Sequence, residues 1–331
     1  MRTHRPWLAI LTAVLLCSAS WPERTEGAVE VTSCGTTVVT DNAYLSGNLD
    51  CTGHPFEMFG AAVTLRNSRL DLRGFSIVTT DPDIFDLNGD GITGVLCEPN
   101  CLIDGPGTIS GFENGIFYLG TAVVSEVTVA NSWFDGIVGW NSGGGLWLSG
   151  STIVDNKRSG LRTEYARVRD STIARNGFAG VSGAWQVKVS GSTIVDNGHV
   201  GISSSMSNVG VLDSQVTGNG TGVAAYGLRG SVWLKNSRVE DNGDWGIRAH
   251  GEINLRDSIV DGNGGDGASA EGGRVRLRGN SSVRGNGTIC AGTSPCADVV
   301  SVRPPAKADT ASCDTSLTSD RTSTWGICSA D

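Results

Sequence analysis

The chain has 331 residues, a formal net charge of −9, 39% hydrophobic residues, 47 glycines and 9 prolines. That apolar content is enough for a core, while glycine at about twice its usual share without a period of three excludes collagen and argues against a helical bundle. The acidic balance disfavours non-specific nucleic-acid binding.

Arg2 and Arg5 precede an apolar run over residues 7–16, too short to cross a bilayer. With small residues at Cys17 and Ala19, residues 1–28 are predicted to be a signal peptide cleaved after Ala19 or Ala28. No later segment is long and apolar enough for a membrane span, so an extracellular, periplasmic or cell-surface location is expected. Loss of Cys17 leaves cysteines in close pairs: Cys34 with Cys51, Cys97 with Cys101, Cys290 with Cys296, and Cys313 with Cys328. Disulfides suit an oxidising compartment, whereas the paired C-x-x-C knuckles of a zinc site are absent. Residues 29–59 read as an N-terminal cap, 60–289 as a repeat region, and 290–331 as a Cys-containing C-terminal cap or tail. Asp86-Leu87-Asn88-Gly89-Asp90-Gly91 copies the first half of a calcium loop, with Asp86, Asn88 and Asp90 as oxygen donors. Cys97 stands where that loop needs its closing glutamate, and a plain polar turn explains the segment as well; calcium is the sole cofactor the sequence suggests.

The repeat follows. Asn156, Asn176, Asn197, Asn219, Asn242, Asn263 and Asn286 recur every 20 to 23 residues. Five residues before each stands a serine, from Ser151 to Ser281, and three before stands an aliphatic, from Ile153 to Val283. A glycine and an apolar residue usually follow, as in Gly160-Leu161 and Gly201-Ile202. Such a period means one solenoid turn per repeat. No unit holds a helical stripe; each has three short alternating segments, for example Ala166 to Arg169, Ser171 to Ile173, and Gly180 to Ser182. Asparagine tolerates the left-handed backbone of a sharp turn, and stacked Asn side chains can bond along the axis. Asn131 to Gly145 departs from the pattern, and its register stays open. Asn219, Asn280 and Asn286 head glycosylation sequons that matter if the host uses them.

On these motifs the chain resembles the right-handed parallel β-helix family, the pectin-lyase-like superfold, over about residues 60 to 290. The resemblance implies an all-β, single-stranded right-handed parallel β-helix of about ten coils with disulfide-bonded ends. That superfold includes pectate lyases, polygalacturonases, alginate lyases and epimerases, and also secreted proteins without catalysis, so function must come from a site. The Asn-Thr-Asp, Gly-His-Gly and Arg-Ile-Lys signatures of polygalacturonases, the Trp-Ile-Asp-His run of pectate lyases and the Asp-Pro-His motif of alginate epimerases do not occur.

The outward face of the first strand in each unit carries the functional signal. Around inward Leu148, Val168, Val189, Leu212, Leu234, Leu255 and Leu277, the preceding neighbours are Trp147, Arg167, Lys188, Val211, Trp233, Asn254 and Arg276. Those following are Ser149, Arg169, Ser190, Asp213, Lys235, Arg256 and Arg278. Seven of these fourteen positions are Arg or Lys, where 25 basic residues in 331 predict about one. With coils about 4.8 Å apart the stripe would run roughly 30 Å. Stacked like charges are unfavourable unless something offsets them. An anionic extracellular or cell-surface polysaccharide would do so, with carboxylates on the cations and sugar faces on Trp147 and Trp233; by resemblance, this column lines the groove. The competing reading is that the charges keep an exposed sheet soluble. A lyase or depolymerase would also need a base, for which His250, Glu252 and Tyr226 are candidates; an adhesin-type solenoid would need length alone. Binding without catalysis is the leading expectation.

Overall fold

The computed structural model describes residues 27–56, 60–80, 91–139, 143–287, 297–308 and 310–329. The expected signal peptide up to residue 26, the calcium loop at Asp86, Asn88 and Asp90, and the Cys290–Cys296 pair lie outside the described residues. Among the described residues all regular elements are strands, joined by parallel pairings into a 13-stranded and a 23-stranded sheet. The larger sheet consists of two ladders. The first includes Gly145–Ser149, Tyr165–Arg169, Val187–Ser190, Val209–Leu212, Val232–Lys235, Ile253–Arg256 and Val275–Arg278. The second includes Thr152–Val154, Thr172–Ala174 and Thr193–Val195. They fuse where Asn100–Ser110 and Thr121–Ala130 run through both. The smaller sheet is the third ladder, with Leu161–Thr163, Ala179–Gly183 and Val200–Ser204 among its rungs. Each coil therefore contributes one strand to each of three faces.

Alternation drives this arrangement. In Tyr165–Arg169, Ala166 and Val168 are buried while Tyr165, Arg167 and Arg169 are exposed, the period of two that a half-buried strand needs. The inward aliphatic column of the second ladder, Ile153, Ile173, Ile194, Val216, Val239, Val260 and Val283, is fully buried. The coil pattern also runs into the segments expected as end caps. Thr36–Val39 pairs with Ala61–Arg66, and Val299–Ser301 pairs with Ser316–Thr318. Among the described residues, ten third-ladder strands fall between residues 60 and 289, close to the expected number of coils. Disulfides join Cys34 to Cys51, Cys97 to Cys101, and Cys313 to Cys328.

The asparagine column is a buried amide ladder. Each Nδ2 donates to the Oδ1 of the next coil's asparagine, at 2.8 Å from Asn156 to Asn176 and 2.9 Å from Asn197 to Asn219. The ladder ends where Asn286 donates both Nδ2 (2.8 Å) and its backbone N–H (3.1 Å) to Asp298. The other oxygen of Asp298 takes the backbone N–H groups of Asp314 and Thr315. A serine ladder runs beside it, with each backbone N–H donating to the next Oγ, as from Ser171 to Ser192 at 3.1 Å. The repeated glycine makes room for the amides: a Cβ at Gly180 would lie 2.9 Å from Asn197 Nδ2 and 2.6 Å from the Gly201 carbonyl.

Two expectations are corrected. The left-handed backbone of the turn belongs to the residue before each asparagine, with φ of 58° at Asp155, 51° at Arg175 and 55° at Asp196. The asparagine is selected for its buried amide, not for its backbone. The second concerns glycosylation at Asn219. Its side chain is buried and spent on Asn242, Ile194 and Thr217, so it cannot accept a glycan, and Asn286 is likewise held in the ladder. The segment whose register was open is also placed. Asn131 takes φ 55°, Ser132 stands in the asparagine column and donates to Asn156 Oδ1, and Ile137–Gly139 joins the third ladder.

Candidate functional site

The outward side chains of the first ladder form a continuous face. Trp147, Arg167 and Lys188 stand in register on successive coils, as do Lys235, Arg256 and Arg278 on another file. One coil differs from expectation. In Val209–Leu212 it is Val209 and Val211 that are buried, and Leu212 points out at 37% exposure. Gly210 and Leu212 therefore occupy the outward files, and Asp213 leaves the strand as a turn residue with φ 48°. Both alternations place valine or leucine inward, so hydrophobicity did not discriminate; the turn conformation does. The correction removes the sole acidic residue from the outward files of these seven coils and keeps all seven cations.

Two cations are paired: Arg276 meets Glu252 at 2.9 Å and Arg256 meets Asp257 at 3.6 Å. The side chains of Arg167, Arg169, Lys188, Lys235 and Arg278 have neither ion pair nor hydrogen bond among the described residues, and all five are exposed. In-register Arg167 and Lys188 thus face one another uncompensated, which is unfavourable.

Aromatic rings flank the cations. Trp147 and Trp233 are each 43% exposed on the face itself. At its leading edge, Tyr165, the first residue of its strand, and Trp185, in the turn of the next coil, stack with centroids 6.5 Å apart and planes at 14°. Trp147, Tyr165, Arg167 and Gln186 line a hollow of about 250 Å³. Ring faces beside guanidinium and ammonium groups can hold the apolar and anionic parts of an acidic sugar.

The three proposed base candidates are not brought together on that face. Tyr226, His250 and Glu271 stack on successive coils just past the third-ladder strands. His250 Nε2 lies 2.8 Å from Glu271 Oε2, and Arg248 binds the same carboxylate at 2.6 Å. His250 Nδ1 is buried without a partner. Burial pushes the Tyr226 phenol up, against a smaller opposing effect of Arg248. Glu252 is held by Arg276 on the cation face. Glu252 is thus engaged by a cation, and the nitrogen of His250 that lacks a partner is buried.

Residues 93–237 match the family model described as right handed beta helix region. The chain is a right-handed parallel β-helix. Among solved structures, this β-helix resembles the periplasmic alginate epimerase AlgG, with TM-score 0.51 at 14% identity over 89% of this chain and 82% of that one. A mannuronan C-5 epimerase AlgE6 A-module of Azotobacter vinelandii aligns with TM-score 0.39 at 15% identity, covering 86% and 87%. Pectate lyase Pel9A aligns with TM-score 0.42 at 12% identity, covering 76% and 73%. No curated protein matches the sequence significantly. No helix among the described residues is long and apolar enough to cross a membrane.

Sequence reasoning missed Trp185, Met206 and Leu228, which border the cation face of the β-helix. They lie in turns of unequal length, where no repeat column aligns them. The signal that could have found them is hydrophobicity in a turn, at a place where glycine, serine and asparagine are the rule.

Proposed function

We propose that this β-helix is an extracellular or periplasmic protein that binds an anionic polysaccharide along the first ladder, without catalysing its cleavage. The observation that carries this reading is the row of five unpartnered cations on an otherwise acidic chain. Their mutual repulsion is relieved by a polymer bearing one negative charge every few ångströms. Coils about 4.8 Å apart present such charges at the spacing of an extended sugar chain, and Trp147, Tyr165, Trp185 and Trp233 offer stacking faces. The disulfides support an oxidising compartment. The structural neighbour AlgG is named as an alginate epimerase, a protein that acts on an anionic glycan. The ion pair of Glu252 with Arg276 engages one of the base candidates and supports binding over β-elimination.

The test is affinity electrophoresis through gels containing acidic or neutral polysaccharides, with and without calcium, alongside ultraviolet absorbance of the same mixtures. Retardation by acidic glycans alone, lost on reversing Arg167, Arg169 and Arg278 to glutamate, is expected. A rise in absorbance from unsaturated sugar ends would show a lyase instead, and retardation that survives the triple reversal would sink the assignment of this face.

A further inference from the structure

The turns entering the first ladder build an apolar ridge along one edge of the cation face. Trp185 donates its backbone N–H to Glu164 and Met206 donates its own to Ala184, both at 2.8 Å, so Tyr165, Trp185 and Met206 stand in one column on three successive coils. Leu228 tips the next turn, whose Gly227 lies against the Met206 backbone. Exposure rises along the ridge, from 42% at Tyr165 and 43% at Trp185 to 60% at Met206 and 94% at Leu228. Contiguous exposed apolar side chains on a soluble protein mark an interaction surface. Tyr165 shares the hollow with Trp147 and Arg167, which joins the ridge to the cations, and exposed Arg229 follows Leu228 directly.

A glycan explains the rings of this ridge and leaves its two most exposed members unexplained. The thioether of Met206 and the isobutyl group of Leu228 have no hydrogen bond and no π-face to give a hydrated sugar. Aliphatic tips that stand out furthest, less exposed rings on the same ridge and unpartnered cations along its flank are the three kinds of group that an anionic bilayer accepts. Acyl chains accept the tips, the headgroup level accepts Trp and Tyr, and lipid phosphate accepts Arg and Lys. We infer that this edge docks the protein on an anionic lipid surface. The inference goes beyond glycan binding and shares with it the cations and the rings of Tyr165 and Trp185, but not Met206 and Leu228.

The experiment is sedimentation of the full chain with phosphatidylcholine vesicles prepared with and without phosphatidylglycerol. The protein is expected to pellet with phosphatidylglycerol at low salt and to stay in solution with phosphatidylcholine alone. The double variant Met206→Ser, Leu228→Ser is expected to weaken the association at least tenfold while its melting temperature and its retardation by acidic glycans stay unchanged. Arg167→Glu is expected to weaken both, by about fivefold for each charge lost at the membrane. Failure to pellet with anionic vesicles, or pelleting that the double variant leaves intact, overturns the inference without touching the glycan reading. If the double variant instead abolishes concentration-dependent self-association, the ridge serves a second copy and the lipid assignment falls.

Discussion

Asn219 shows what a single side chain does in this chain. Its Oδ1 accepts both donors of Asn197, and its Nδ2 serves Asn242, Ile194 and Thr217. Asn219→Ala would leave several buried groups unpaired, and a loss of about 2–4 kcal/mol is expected in a denaturant titration. Tyr118 makes a second case. It is buried against Thr163, and burial raises its phenol from the ordinary value near 10 to about 12. The neutral form is thus favoured by the folded chain, so this contribution is intact below pH 10 and is lost as pH climbs towards 12. Ultraviolet titration should show Tyr118 ionising well above pH 10, together with alkaline loss of the fold; ordinary titration of Tyr118 near pH 10 in folded protein would refute it. Asn219 was recognisable as a ladder residue because it recurs in seven units. Tyr118 was not, because it occurs in one coil and its burial depends on Thr163, two coils away.

At the scale of strand and turn, several left-handed corners are glycine where the same corner one coil earlier is aspartate. Asp170, with φ 48°, is followed one coil later by Gly191, with φ 58°. A Cβ on Gly191 would lie 2.2 Å from Asp170 Oδ1, so the carboxylate of one turn fills the space above the next. Gly191→Ala combines that contact with an unfavourable backbone and is expected to cost about 1–2 kcal/mol, read as a lower denaturation midpoint. An unchanged midpoint would mean that the turn adapts. Most elements were legible from the serine, aliphatic and asparagine columns. The misplaced strand was Val209–Leu212, where Val209, Val211 and Leu212 satisfy either phase and the deciding feature is the φ of Asp213. Trp185 and Leu228 escaped for a related reason: periodicity aligns strands, and turns that vary in length carry no phase.

For the molecule as a whole, charge is sorted by face. A chain of net charge −9 gathers five unpartnered cations on one ladder, so the attraction for a polyanion proposed above would be local and screened over about 10 Å at ordinary salt. Retention by an acidic glycan should fall steadily as sodium chloride rises, and the Arg167, Arg169, Arg278 reversal should flatten that dependence. Salt-independent retention would point to stacking on the rings as the main source of affinity.

The carboxylate of Asp298 has a consequence for redesigning this scaffold. Every asparagine upstream both gives and receives, so a unit can be copied or deleted within the series and its neighbours still fit. Asp298 receives from Asn286 and from the backbone of the closing segment, and gives nothing. It is a stop codon written in side chains. Lengthened or shortened versions of the protein should fold provided that this one acidic terminator travels with the last unit, whichever unit that is.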